Sequence, residues 1–561
     1  MARPFELRIT AAGAAALACL GGSALGQPVN LDPVQKSLPQ APLVKGSRPK
    51  SNPTVLPPAA TRLDPALQRL AAPATLALPT KPDQVITVEM RPLSLKEIEN
   101  LAEVNNPSLK AIASQVDQAQ SNLRVQLAAW YPTLGIAANG FPNYTGGNQR
   151  QTDANPATLA NGNIYTFTNR WAMTSTLTAQ WDLVNPQRVP EVSAARDQFE
   201  RAKNQYLIAL RELRLQAAQA YFELQDSDER VRIGQTSVRA SLVSLRDAKA
   251  RFQAGVATKL EVLEAETQLG RDQQLLADSI SQQSIARRDL ARVLGLPQNI
   301  TPTASDPLRP IGVWQPSLQE SIIAAFTFRE ELDNAILDIS ASNSQANTAI
   351  GQVQPFITIV NSLLSTRYQG AESIVVDLPG TSGWAVENSV GLNLKWNILD
   401  GGAARAQYRQ YKQKAQENAF NFAKTRDQLR FDVEQSFYRL GNSSRNLQTT
   451  SKEVMSSREA LRLARLRFQA GVTTQREVVN NQRDLTQAET RYADALFNYN
   501  SQLAELQRRT GLDLIAVCRG PQLPAIKPTQ DSTDAVPVPP SPQIQPCQLG
   551  ATPARTGAPA S

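Results

Sequence analysis

Histidine is absent from all 561 residues. That removes Ser-His-Asp and Cys-His catalysis, histidine general acid–base chemistry and nearly every transition-metal site. Long apolar runs are missing too. No segment has eighteen uninterrupted apolar residues, which excludes a transmembrane helix but not a transmembrane β-barrel, whose alternating strands give a weak hydropathy signal. Charge of one sign is never blocked: 58 Lys and Arg are interspersed with 50 Asp and Glu, for a net +8. No basic block tracks phosphates, so nucleic acid is not an expected partner. The acids lie on solvated helix faces rather than in paired constellations, so neither an enzyme nor a cofactor is expected.

Cysteine occurs three times, at Cys19, Cys518 and Cys547. The first lies in "MARPFELRITAAGAAALACLGGSALGQPV", where Arg3 and Arg8 precede a short apolar core and small residues. Residues 1–26 read as a secretory signal, with cleavage after Ala24-x-Gly26 leaving Gln27 as the first mature residue. Leu17-Ala18 before Cys19 leaves a lipidated start open, although Ala16 stands where a lipobox has Leu. Removal of Cys19 leaves Cys518 and Cys547, which an oxidising compartment allows to pair. Residues 27–92 are rich in Pro, Ala and polar residues and read as an extended, poorly packed arm; the tail, 514–561, is similar.

Between these ends the chain is duplicated. "RFQAGVATKLEV" at Arg251 returns as "RFQAGVTTQREV" at Arg467, an offset of 216 residues. The match runs without a gap to Leu296 and Leu512. Upstream, "AQWDLVNP" answers "LKWNILDG", and the Ser-x-x-Glu boxes Ser94–Glu97 and Ser317–Glu320 each open a helix that Pro132 or Pro355 closes. Two repeats result, 93–310 and 311–513, each ordered helix, strand pair, very long helix, joint, helix.

The long helices have heptad-like seams. Phe199, Ala202, Tyr206, Ala209 and Leu213 recur every three or four residues in one, and Leu429, Val433, Phe437 and Leu440 in the other, with Phe422 one heptad before Leu429. At ~1.5 Å per residue, Arg188 to Phe252 spans roughly 100 Å. The strands alternate. Trp171, Met173, Leu177, Ala179 and Trp181 share one face, with Thr174, Thr176, Thr178 and Gln180 on the other; Val390, Leu392, Leu394 and Trp396 repeat the pattern. Apolar-out, polar-in strands with Trp near their ends suit lipid on one side and water on the other, or a soluble sandwich with one wet face. Thr133–Ala138 and Phe356–Leu364 are less regular candidates. Four strands cannot close a membrane barrel, for which about eight is the minimum. Two, three or four copies would supply the rest.

The joint reads first as a turn. Gly255 and Gly471 suit the left-handed position that ends a helix, followed by apolar Val256 or Val472. Thr258-x-x-Glu261 and Thr474-x-x-Glu477 then form capping boxes for the returning helix. A turn does not require Arg251, Phe252, Arg467 or Phe468, so a docking role at an exposed tip is added to it.

"NNPSLKAIASQVDQAQSNLRVQLAAWYPTL" from Asn105, "WNILDGG" from Trp396 and the two Phe-x-Ala-Gly joints resemble TolC-like outer-membrane efflux proteins over about residues 93–513. The resemblance implies a mainly α fold with a β-barrel part. Three copies would form a twelve-stranded barrel in the outer membrane, continuous with a periplasmic α-helical coiled-coil barrel. It implies an exit duct for small toxic compounds, fed by an inner-membrane transporter through a periplasmic adaptor (membrane fusion) protein that docks at both tips. An export duct for type I protein secretion is the alternative within the family, and a structural coiled coil or adhesin is one from another class. It also suggests a periplasmic gate at Glu261, Glu264, Glu477 and Asn480. Asn480 departs from the acid, and Thr473 from the latching Arg, of some members. A cap or helix-dipole role explains Glu261 and Glu477 equally well.

Overall fold

The computed structural model describes residues 59–86, 89–152, 163–373, 381–513 and 515–517. The expected signal segment, Cys19, Cys518 and Cys547 lie outside the described residues. After 3-10 turns at Pro65–Leu70 and Pro82–Gln84 come β1 (Glu89–Leu93), α1 (Leu95–Asn105), α2 (Pro107–Ala128), β2 (Thr133–Thr152) and β3 (Asn163–Val184). Then follow α3 (Arg188–Gln253), α4 (Lys259–Leu294), β4 (Ile300–Ala304), β5 (Gly312–Trp314), α5 (Leu318–Phe328) and α6 (Glu330–Gly351). The last described elements are β6 (Phe356–Ser373), β7 (Thr381–Lys395), α7 (Ala403–Gln469), α8 (Gln475–Thr510) and β8 (Ile515–Val517).

Both Ser-x-x-Glu boxes form: Ser94 N and Ser317 N each donate 2.8 Å to the carboxylate of Glu97 or Glu320. The single helix expected after each box is instead two, and both stop short of Pro132 and Pro355. Asn106 and Arg329 leave the helical region, with ψ of 123° and 124°. Pro107 disfavours helical geometry at Asn106, whose Oδ1 then accepts from Ser108 N (2.9 Å) and Leu109 N (3.2 Å) to cap α2. No proline marks the second break. There Arg329, almost fully buried, donates from Nε to Glu331 at 3.1 Å.

The described residues fall into two units, one within 123–197 and 335–423, the other within 59–122, 198–334 and 424–517. The first unit holds an antiparallel sheet of order β2-β3-β6-β7. Its strands run well past the short alternating stretches read from sequence, because after a register shift between Asn139 and Asn143 the Gly- and Asn-rich segment 143–151 pairs continuously with β3. Register places Ile136, Leu177 and Leu363 side by side on one face, and Thr176 beside Leu364 on the other. The strand ends are tied down alike. Trp181 Nε1 donates to Trp130 O (3.1 Å) and Trp396 Nε1 to Val353 O (3.0 Å). "DGG" has a local reason. Gly401 and Gly402 take φ of 67° and 88°, which favours glycine, while Asp400 accepts from Gly402 N and Ala404 N to start α7. Those backbone bonds hold the Asp400 carboxyl below its ordinary value.

The second unit carries the apolar cores. In one, Leu210, Tyr221, Phe222, Leu290 and Leu294 pack with Leu93, Ile98 and Leu101. In another, Val433, Leu440, Leu447, Tyr499 and Leu503 pack with Trp314 and Ala325. The segment read as an unpacked arm, 27–92, belongs partly to the first core, which corrects that reading at Leu67, Leu70 and β1, while Leu76 and Leu78 between them are exposed. Leu67 and Leu70 of the Pro65–Leu70 turn are buried in that core, and β1 pairs in parallel with β4 from Glu89↔Ile300 to Leu93↔Ala304. Asn105 holds the turn by donating to Leu70 O (2.7 Å) and accepting from Ala72 N (3.1 Å). Proline sets extended or turn geometry but does not prevent burial; two well-placed leucines decide it.

Candidate functional site

Two surfaces can carry function. The first is the apolar face of the sheet. Leu134, Ile136, Leu177, Leu363, Val386, Val390, Leu392 and Leu394 are exposed there, and register puts them on one side. Trp171, near the middle of β3, and Trp181, near its C-terminal end, lie on this face ten residues apart, both exposed. Ten residues of strand span roughly 33 Å at ~3.3 Å each. A tilt of about 40° brings that to a height of about 25 Å, the apolar band of an outer-membrane barrel between its aromatic girdles. The opposite face presents Thr174, Thr176, Thr178, Gln180 and Asp182, the last accepting from Thr358 Oγ1 at 3.1 Å. Both outer strands, β2 and β7, are edges among the described residues.

The second surface is the pair of helical tips. Gly255 and Gly471 have φ of 75° and 74°. Val256 N bonds Arg251 O (3.0 Å) and Gly255 N bonds Phe252 O (3.0 Å); Val472 N to Arg467 O (2.9 Å) and Gly471 N to Phe468 O (3.0 Å) repeat the pattern. This pair of crossed bonds is a Schellman motif, and it satisfies helix-end carbonyls. The next residues are thrust into solvent: Val256 is 73% and Val472 69% exposed.

Beyond the turn the copies diverge. The Arg251 guanidinium lies 3.9 Å from the centroid of the Phe468 ring and donates to Phe468 O at 3.4 Å. Arg467 instead pairs with Glu477 at 3.0 Å. Phe468 is half-buried against a core of Val454, Leu461, Ala464 and Val478, whereas Phe252 is exposed. Thr258 and Thr474 occupy the N-cap positions of α4 and α8, but neither side chain caps its helix, a correction to the expected capping boxes. At the second tip the reason is visible, since Glu477 is held by Thr473 Oγ1 and Arg467.

The suggested gate residues are not gathered into one cluster. Glu264 faces Arg476 at 3.8 Å, Glu477 stays with Arg467, and Asn480 is exposed. Sequence reasoning passed over Arg476, and also the buried polar groups just above the tips. Gln475 donates to Ser244, Ser241 to Asp272, Gln268 to Asp272 (3.0 Å), and Ser237 meets Thr486 at 3.2 Å. Ser237, Ser241 and Ser244 recur every three or four residues, a seam signal that was there to read.

Away from the tips, the second unit buries an ion network. Arg211 pairs with Glu330 (2.8 Å), and Arg508 with Glu212 (3.2 Å) and Glu331 (3.3 Å). Burial alone would raise Glu331, but the Arg329 bond and the charges of Arg329 and Arg508 outweigh it and bring it to about 2. Glu99 goes the other way. Burial, with Glu103 and Asp513 adding to it and Arg214 opposing, pushes its carboxyl up to about 7.

Comparison with known proteins places these features. The sequence profile described as outer membrane efflux protein matches residues 99–296 and 325–512. The pyoverdine export outer membrane protein OpmQ of Pseudomonas putida is 24% identical over 465 residues, 80% of this chain and 92% of that one. A membrane protein from Pseudomonas aeruginosa superposes with a TM-score of 0.60 at 22% identity, covering 79% of this chain and all of the other. The outer membrane protein VceC of Vibrio cholerae gives 0.58 at 17% identity, covering 74% of this chain and 96% of the other. At such identities the superpositions speak to the fold.

Proposed function

The chain belongs to the outer membrane efflux protein family, and from that premise we propose that it is the exit duct of a tripartite efflux system and not an enzyme. Three copies form a twelve-stranded barrel in the outer membrane, joined to a periplasmic helical barrel. A periplasmic adaptor, linked to an inner-membrane transporter, docks on the exposed Val256 and Val472 tips. Small toxic compounds leave through the duct. Repeats 93–310 and 311–513 each supply one strand pair and one tip, and residues 1–26 direct export.

The observation that carries this reading is the four-stranded sheet with one exposed apolar face and two open edges. In hydrocarbon each unpaired edge N–H and C=O costs several kcal/mol, so only a closed barrel is stable there. Four strands fall below the closing minimum, and three copies supply twelve. The relative named for pyoverdine export supports a small-molecule cargo.

Purified from the outer-membrane fraction, the protein should have the native mass of a trimer and conduct ions across planar bilayers. Deleting its gene should raise cellular retention of an exported compound. A soluble monomer without conductance would sink the proposal.

A further inference from the structure

The contact between Arg251 and Phe468 joins the first tip to the second within one chain. Shifting each partner by the repeat offset of 216 exchanges them: Arg251 becomes Arg467, and Phe468 becomes Phe252. The same pair of residue types is thus present a second time, with its members unjoined. Arg467 is more than half exposed and Phe252 is 46% exposed. The neighbouring contacts do not behave this way. Ser244 with Gln475 maps onto Ala460 and Lys259, Ser237 with Thr486 onto Glu453 and Gly270, and Arg476 with Glu264 onto Leu260 and Asn480. None of those exchanged pairs can make the original contact.

A ring in which first and second tips alternate has two kinds of neighbour. First to second within a chain is one; second to first across a chain boundary is the other. If both neighbours are set at similar spacing, the same contact serves twice. We propose that the Arg467 guanidinium of one protomer stacks on the exposed Phe252 ring of the next, so that six equivalent Arg–Phe contacts, three within and three between chains, close the ring of tips. Glu477 does not compete. It engages an N–H edge of Arg467 (Nη1, 3.0 Å), whereas an aromatic ring takes the guanidinium face. The inference rests on the trimer proposed above and assigns two residues to its interface.

Cysteine placement tests it. With Cys518 and Cys547 changed to Ser, Phe252→Cys and Arg467→Cys are put on two differently tagged copies of the full chain, co-expressed, and treated in membranes with a bifunctional thiol reagent of about 10 Å reach. A covalent dimer carrying both tags is expected, while Arg251→Cys with Phe468→Cys in one chain should crosslink only internally. Native mass, measured on the same samples, separates the two layers of the reading. A trimer without the mixed covalent dimer overturns the Arg467–Phe252 contact and leaves the trimer standing; a monomer overturns both. Because both substituted side chains are exposed, folding should be unaffected. The Phe252→Tyr, Arg467→Lys variant supplies a second measurement, retaining ring and cation. It should keep the trimer's resistance to dissociation by detergent, and Phe252→Ala with Arg467→Ala should lose it. Equal resistance in both would also overturn the contact.

Discussion

Replacing both tip valines with aspartate separates folding from docking. Val256 and Val472 are 73% and 69% exposed, and the turns that carry them are held by backbone bonds in which neither valine side chain takes part. Each substitution should therefore change folding stability by about 0.5 kcal/mol or less, plus a small loss where the valine touched its own helix end. Docking is different. The proposed trimer would present six tips, and where even a neutral polar group pressed into an apolar contact without a partner costs about 1–3 kcal/mol by mutational measures, a carboxylate costs at least that. Six of them sum to the order of 10 kcal/mol, more than the roughly 8 kcal/mol of a micromolar interface. The variant should reach the outer membrane as trimer at normal level, yet lose both adaptor crosslinking and export. Unchanged crosslinking and export would show that RFQAGV is a turn and nothing more. Loss of the trimer would refute the claim that these valines contribute little to folding.

Other consequences are equally direct. Raising Glu99 to about 7 means that the folded chain holds a proton there that the unfolded chain releases near 4.5. Stability from this group falls as pH rises from about 4.5 to 7, so Glu99→Gln should stabilise at pH 8 by up to about 3 kcal/mol and flatten denaturation midpoints across that window; an unchanged pH profile would contradict it. Glu331, held at about 2, acts oppositely: Glu331→Gln should destabilise at pH 7, with the difference from wild type vanishing as pH falls from about 4.5 towards 2. Leu67→Ala with Leu70→Ala should cost at least about 4 kcal/mol, measured by urea unfolding, because both side chains are buried in the first core; a neutral result would restore the loose-arm reading. Cys518 and Cys547 should be disulfide-bonded after export, and two free thiols in non-reduced protein would exclude it. Backbone amides of Ser237–Gln253 in α3 should exchange faster than those of Val454–Gln469 in α7, and equal protection would show that the two tip regions are alike.

Sequence disclosed what is decided locally. The Ser94 and Ser317 boxes need three residues and a helix, and the left-handed glycines need only their own backbone. The alternation around Trp171–Trp181 was legible because period 2 survives wherever one face stays apolar. What remained hidden depends on distant partners. Nothing near Leu67 announces that Leu93, Ile98 and Leu101 will cover it. Arg329 breaks a helix without proline, beside acids and arginines gathered from α3, α6 and α8. At the tips, identical words concealed different contacts. Arg251 reaches across to Phe468 while Arg467 turns back to Glu477, and a sequence repeat cannot say which neighbour each arginine meets.

The copies also differ in what lies behind each turn. Above the first tip the buried residues of α3 and α4 include Ser237, Ser241, Gln268 and Asp272. Above the second they are mostly apolar, with Val454, Leu461, Ala464, Val478, Leu485 and Ala488 beside the polar Ser451, Gln475 and Thr486. A buried hydrogen bond contributes about 1 kcal/mol net, because water supplied the same bond before folding. A buried leucine or valine contributes about 1.5–3 kcal/mol, and water offers no substitute. Equal turns thus sit on unequal supports, and the first hairpin is expected to open locally with less free energy. That asymmetry fits the arrangement of the aromatic rings. Phe468 is already held by its own hairpin and by Arg251. Phe252, on the looser hairpin, has its ring exposed, so an arginine from the next protomer would stiffen the tip that needs it.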